Sequence, residues 1–206
     1  MNSKEKTAII KKLQFPANFT KKGTLSYKLI KEDNLYYIIG FFIDDSIDKD
    51  NFFMQYFVQP LFIEFPTYVF TLGQRIGGHW NINDIPDLQG KLDKFFSQIP
   101  QNIHDIVNYI KKEFGGIDNL FKYQALAYSY ILILDYKSAF KELNKVSYKE
   151  IEKLPLWKRE ELERIEVILN LLEKEKYGEI KKMLALWQRK TLENIRINID
   201  HIKFTN

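Results

Sequence analysis

The chain contains no cysteine. Disulfides, zinc-thiolate centres and thiol nucleophiles are therefore excluded, because each needs the sulfur. Histidine is scarce: His79, His104 and His201 are the only three in 206 residues. No two of them stand at i, i+4 helical spacing around a glutamate, so a zincin-type metal site is absent. Long apolar runs are missing too. Nothing approaches the eighteen or so apolar residues that span a bilayer. The polar residues 1–6 lead into no apolar segment of the kind that marks a secretion signal. A cytosolic protein with no membrane partner is expected. Neither sign of charge dominates: 31 lysines and arginines against 27 aspartates and glutamates give +4. The charges are dispersed, which offers nucleic acid only weak attraction. Gly-x-Ser-x-Gly and Gly-Lys-Ser/Thr are both absent, which removes the simplest hydrolase and P-loop readings. No metal or organic cofactor is expected.

Apolar and aromatic residues are plentiful, at 45% and 15%, enough to bury a core. Their pattern changes near Pro86. Before it lie short aromatic and β-branched runs broken by turn signals; after it, helical periodicity is nearly continuous. The expected fold is α+β. An N-terminal helix and a mostly antiparallel meander of four to five strands, within residues 20–75, precede an all-helical half from about residue 87. The division is 1–86 and 87–206, with one core shared between the halves. Residues 3–13 read as a helix presenting Ala8, Ile9 and Leu13. Residues 25–29 alternate apolar and polar, as a half-exposed strand does, and 31–34 suit a hairpin turn. Residues 35–43 are apolar at every position but Gly40, the mark of a central strand covered on both faces. A polar loop over 44–51, a third strand over 52–58 and a fourth over 67–72 follow. Pro60 and Pro66 bracket 61–65 as a bent connection.

In the second half, Leu88, Leu92, Phe95, Phe96 and Ile99 form one helical stripe ended by Pro100. Ile103, Ile106, Val107, Ile110 and Phe114 form another, closed by Gly115 and Gly116. Asp118 is a candidate cap for the next helix, whose residues 120–134 are apolar enough to be the buried centre. Helices over 136–146, 156–172 and 180–199 complete an antiparallel set. Ala127, Tyr130, Tyr136, Ala139 and Leu143 resemble one hairpin of a tetratricopeptide repeat, a family in which small residues let paired helices approach closely. No second copy appears at the period of about 34 that this family uses, so a lone hairpin is expected. Lys182, Arg189 and Arg196 share a face of the last helix. Glu179 and Glu193 dilute it and no aromatic platform interleaves, so it reads as a solvated face.

Two loops could carry function. Residues 44–50 include Asp44, Asp45, Asp48 and Asp50. A calcium loop beginning at Asp44 needs glycine sixth and glutamate twelfth, where Lys49 and Gln55 stand, so a solvated acidic turn is expected. The glycine-rich residues 73–80 carry Arg75, His79 and Trp80. Trp80 suits a plug at the sheet–helix junction and Arg75 a pair with a local acid, while loops also hold binding sites disproportionately. Both loops follow strands of the same direction and so open at the same sheet end. Asp44, Asp45, Asp48, Asp50, Arg75, His79 and Trp80 are accordingly the expected partner-binding set.

The turn Phe19-Thr20-Lys21-Lys22-Gly23, within FTKKGTLSYKLI, together with YFVQPLFIEFPTYVFTLGQRIGG, resembles an uncharacterised bacterial family, domain of unknown function 4304. That family has no established catalytic residues. The resemblance implies a small cytosolic α+β protein similar to immunity proteins encoded beside bacterial toxins. Three classes of function compete. The first is a non-enzymatic protein-binding module, with a toxin as one such partner. The second is a helical scaffold using the repeat-like half. The third is an enzyme whose dispersed residues include Arg75, His79, Asp44 and Asp48.

Overall fold

In the computed structural model, which describes residues 1–48, 50–116, 119–146 and 153–199, the chain opens with helix α1 (Ser3–Lys12). Asn2 accepts the backbone amides of Lys4 and Glu5, and the Glu5 carboxylate accepts the Asn2 amide at 2.7 Å, a reciprocal cap. The helix buries Ile9, Ile10 and Leu13 and leaves Ala8 exposed. Two adjacent isoleucines outweigh one methyl group in area removed from water, so the helix turns Ile10 inward in place of Ala8.

Five antiparallel strands follow in chain order: β1 (Thr20–Lys22), β2 (Leu25–Glu32), β3 (Leu35–Asp45), β4 (Phe52–Pro60) and β5 (Gly73–Arg75). The meander is as expected from the sequence, and β3 is its central strand. Asp33 and Asn34, at φ of 46° and 61°, form a two-residue hairpin turn whose left-handed backbone matches the strand twist. Two boundaries differ from expectation. β3 runs on through Asp44 and Asp45, which therefore belong to the ladder and leave a shorter loop. Residues 67–72 form no strand. The buried amide of Gln59 accepts the Val69 N–H at 2.9 Å, engaging that backbone in place of a strand neighbour, and the ladder resumes only at Gly73.

The register assigns every strand side chain to one of two faces. Ile30, Tyr37, Ile39, Phe41, Ile43, Met54, Tyr56 and Val58 lie on the first, together with Ser26 and Lys28. Leu25, Tyr27, Tyr36, Ile38, Phe42, Phe53 and Phe57 lie on the second. β2 is thus buried on both faces, correcting the half-exposed reading: Ser26 and Lys28 point under the helices rather than into water. Gly40 is required by close approach. The Phe57 ring crosses it so tightly that a Cβ would lie 2.5 Å from a ring carbon.

Among the described residues six further helices follow the sheet. α2 (Ile85–Phe96) has Pro86 in its first turn and ends three residues short of Ile99. α3 (Ile103–Phe114) is capped by Asn102. Its own end, Gly115, has right-handed backbone and sits 2.5 Å, counted from a would-be Cβ, from the Lys111 carbonyl, so glycine is needed for clearance rather than for a left-handed turn. α4 (Leu120–Leu132) is capped by Asn119; the Asp118 reading lies outside the described residues. α5 (Tyr136–Leu143), α6 (Leu156–Glu173) and α7 (Tyr177–Ile195) complete the set. α4 is buried almost throughout, as its composition predicts. Phe95 and Phe96 of α2 pack on Phe41, Tyr109 of α3 stands edge-on to Tyr56, and the Tyr37 hydroxyl donates to Ser129 of α4. One apolar core therefore runs from Ile9 through the first face of the sheet to Trp187.

The turn of the α4–α5 hairpin recurs in the pair of helices expected over 156–172 and 180–199. α6–α7 repeats it with the tyrosines that open the second helices, Tyr136 and Tyr177, 41 residues apart. Leu134 and Glu175 occupy the same left-handed turn position, and Asp135 and Lys176 each return a 2.9 Å hydrogen bond, to the carbonyls of Tyr130 and Leu171. The two tyrosine rings stack at 3.6 Å. α6 has 18 residues against 13 in α4, and the spacing exceeds the period of about 34 of the tetratricopeptide family.

α7 also clamps the halves together. The Gln188 side chain accepts the Tyr36 amide at 2.7 Å and donates to the Asn34 carbonyl at 3.0 Å, fastening the β2–β3 turn. Thr191 donates to the Ile63 carbonyl and Asn194 to that of Phe65, both at 3.0 Å. Beyond that point Leu192, Ile195, Ile197 and Ile199 cross onto the second face of the sheet.

Candidate functional site

The residues expected to bind a partner do gather at one end of the sheet. β3 and β5 run the same way, so the segments after them meet there. Phe52 and Trp80 close the junction by exchanging backbone hydrogen bonds at 2.8 and 2.9 Å. Within the cluster the side chains divide by role.

Trp80 faces inward. It is 6% exposed, its indole N–H donates to the Ile76 carbonyl at 2.7 Å, and the Lys91 ammonium lies 5.0 Å from its ring. This is the plug reading, and Gly77 at φ 75° lets the loop fold against the ring edge. Asp45 forms an ion pair with Lys6 at 2.7 Å, and the N-terminal amine stands 3.9 Å away. Hydrogen bonding to Lys6 holds its carboxyl below the usual carboxylate range. Asp48 is turned into its own loop, accepting the Asp50 amide at 3.1 Å and the Asn51 side-chain amide at 2.7 Å. Asp44 accepts the amide of Asp45 at 2.9 Å, and Asp50 is exposed.

Arg75 and His79 are exposed and share one neighbour, Phe53 of β4. The Arg75 guanidinium lies 3.7 Å from the Phe53 ring centroid, and the His79 ring 4.4 Å from it. Arg75 forms no ion pair among the described residues, so the local-acid reading gives way to stacking on an aromatic face. Beside it on the same sheet face, Phe42 and Phe70 stack at 3.9 Å, with Phe70 39% exposed. The result is an open corner of the second face: Asp44, Arg75, His79, Phe42 and Phe70 on a rigid strand platform, with Phe53 buried beneath the arginine and the histidine. Around the rim, on the side of α1, Glu5, Asp48, Asp50, Asn51, Asn81 and Ile82 line a shallow groove of about 540 Å³. Ile47, at the loop tip, is fully exposed.

Phe53, Phe70, Ile47 and Ile82 were not among the residues singled out from the sequence. The alternation over residues 52–58 does place Phe53 opposite Met54. Which of two apolar faces stays open, however, depends on where α7 ends. Among the described residues no three His, Asp or Glu side chains gather to hold a metal ion, and no helix is long and apolar enough to cross a membrane. His201 lies outside the described residues. No family model, curated protein or solved structure matches this chain.

Proposed function

We propose that the chain is a non-enzymatic module that binds another protein through the open corner of the sheet. The supporting observation is the stack of Arg75 and His79 on Phe53 beside the half-buried Phe42 and the exposed Phe70 stacked on it. Arginine and aromatic side chains held in fixed geometry carry most binding energy at protein interfaces. The acids on the adjacent rim would favour a partner with basic residues facing them. An immunity protein that blocks a bacterial toxin is the specific form implied by the resemblance of the N-terminal half. The scaffold reading is weaker although two hairpins are present. The chain's own residues 61–65 occupy the space between α4, α6 and α7, where Glu64 meets Lys190 at 3.1 Å and Phe65 packs edge-on against Phe121.

The test is affinity capture from the native host, followed by titration of the purified partner against wild type and Arg75→Ala. Binding should weaken by about 1–3 kcal/mol while the variant melts as wild type does. Unchanged affinity in a folded Arg75→Ala, Phe70→Ala double variant would move the interface elsewhere.

A further inference from the structure

A second cleft lies away from that corner, between the end of α2, the start of α3 and the edge strand β5, with a volume of about 390 Å³. Its walls are Phe95 and Tyr109, and its rim carries the amides of Gln74, Gln98 and Asn108. None of these three amides makes a side-chain hydrogen bond among the described residues. The charged groups lining it already have partners. Asp105 accepts the Gln101 amide at 2.9 Å, and Lys112 pairs with Glu113 at 3.1 Å. Gln101 is pinned, accepting from Lys28 at 2.8 Å and donating to the Ile99 carbonyl at 2.7 Å, so the lip of the cleft is rigid.

Behind the rim stand two phenols. Tyr56 is 1% exposed, pairs with Gln74 in the sheet register and meets Tyr109 edge-on at 5.7 Å. The hydroxyls of both tyrosines are buried and neither has a hydrogen-bond partner among the described residues. Such groups are uncommon, because each forfeits the hydration it had in the unfolded chain. Burial raises both phenol pKa values, so each stays protonated and able to donate throughout the neutral range.

We propose that this cleft binds a small neutral polyhydroxylated ligand, a free sugar of one or two rings. An amide head offers a donor and an acceptor in one plane, which matches adjacent hydroxyls, and aromatic walls suit the apolar C–H face of a sugar ring. Among the described residues the rim has no uncompensated cation with which to hold a phosphate. Neutral hydroxyls are therefore favoured over nucleotides or sugar phosphates.

The test is a titration of isotope-labelled full-length protein with methyl glucoside, galactose, ribose and maltose, followed through the side-chain amide signals. With at least one neutral sugar at millimolar concentration, the signals of Gln74, Gln98 and Asn108 should shift together. Asn108→Ala and Tyr109→Phe should each weaken binding about tenfold, the effect of one lost hydrogen bond. If the phenol were purely structural, Tyr109→Phe would change the melting temperature alone. Glucose 6-phosphate serves as the charged control. Tighter binding of that phosphate than of the neutral sugars would overturn the assigned class. Failure of every neutral sugar to move the three amides would overturn the site.

Discussion

The two faces of the sheet are built from similar residues and end up in different circumstances. On the first, Phe41 is fully buried and touches Tyr56, Phe95 and Phe96, with Phe15 and Phe19 closing the side. On the second, its chain neighbour Phe42 is only half-buried and stacks on the exposed Phe70. The difference comes from the length of what covers each face. Helices α1 to α4 span the first, whereas the second receives, among the described residues, Leu61, Tyr68 and Phe70 from the segment after β4, the last turn of α7 and the residues after it. Among the described residues that coverage runs out before Arg75 and His79. An apolar face that outlasts its cover is left available for recognition.

The largest expected effect tests this contrast directly. Phe41→Ala should lose about 3–5 kcal/mol in urea unfolding, because the surrounding rings cannot collapse into the space. Phe42→Ala should lose about 1 kcal/mol or less, since solvent already reaches that side chain. Equal losses would show that the second face is as closed as the first.

Next in size is the clamp between the halves. Gln188→Ala leaves the Tyr36 amide and the Asn34 carbonyl without their partner and should cost about 1–3 kcal/mol. Amide exchange at the β2–β3 turn should accelerate in the same variant. A loss confined to α7, with the turn still protected, would mean that the helix and sheet are fastened elsewhere.

Smaller effects should appear with pH. Burial under the first face lowers the Lys28 pKa to about 8, partly countered by Asp105. The unfolded lysine titrates near its ordinary value of about 10.4. Between those values the unfolded chain holds the extra proton, so stability should rise with pH from about 8 to about 10. Lys28→Met should flatten that rise and add on the order of 1 kcal/mol at neutral pH, because no buried ammonium then has to lose its hydration. Buried tyrosines with raised pKa values oppose the trend only above about pH 10, where unfolded phenols ionise. A slope that persists in Lys28→Met would assign it to another group. The smallest effect belongs to Asp45. Its folded pKa lies below the unfolded value, so its contribution is present above that unfolded value and fades as pH falls through the folded one. Exchange protection of α1 should drop there in wild type and be insensitive to the same acidification in Asp45→Asn.

Residue pattern alone was sufficient for the larger part of the architecture. The period-two run before Pro86, the turn at Asp33 and Asn34, the central strand around Gly40 and the buried α4 all follow from local periodicity, which is a property of consecutive residues. Trp80 was likewise readable as a plug. What failed did so where distant residues decide. Residues 67–72 have strand composition, but Gln59 takes up their backbone. The polar Ser26 and Lys28 suggest exposure, yet helices from the other half cover them. The helices of the second hairpin were legible in the sequence, but its likeness to the first was not, because the turn is held by backbone geometry at Leu134 and Glu175, where few side chains need to match. The candidate corner divides the same way. Composition and strand direction brought the two acidic and glycine-rich loops to one sheet end. Only the tertiary structure turned Asp45 and Asp48 to internal duties and left Arg75 exposed on the Phe53 ring, because exposure depends on where α7 stops, and no run of neighbouring residues encodes that distance.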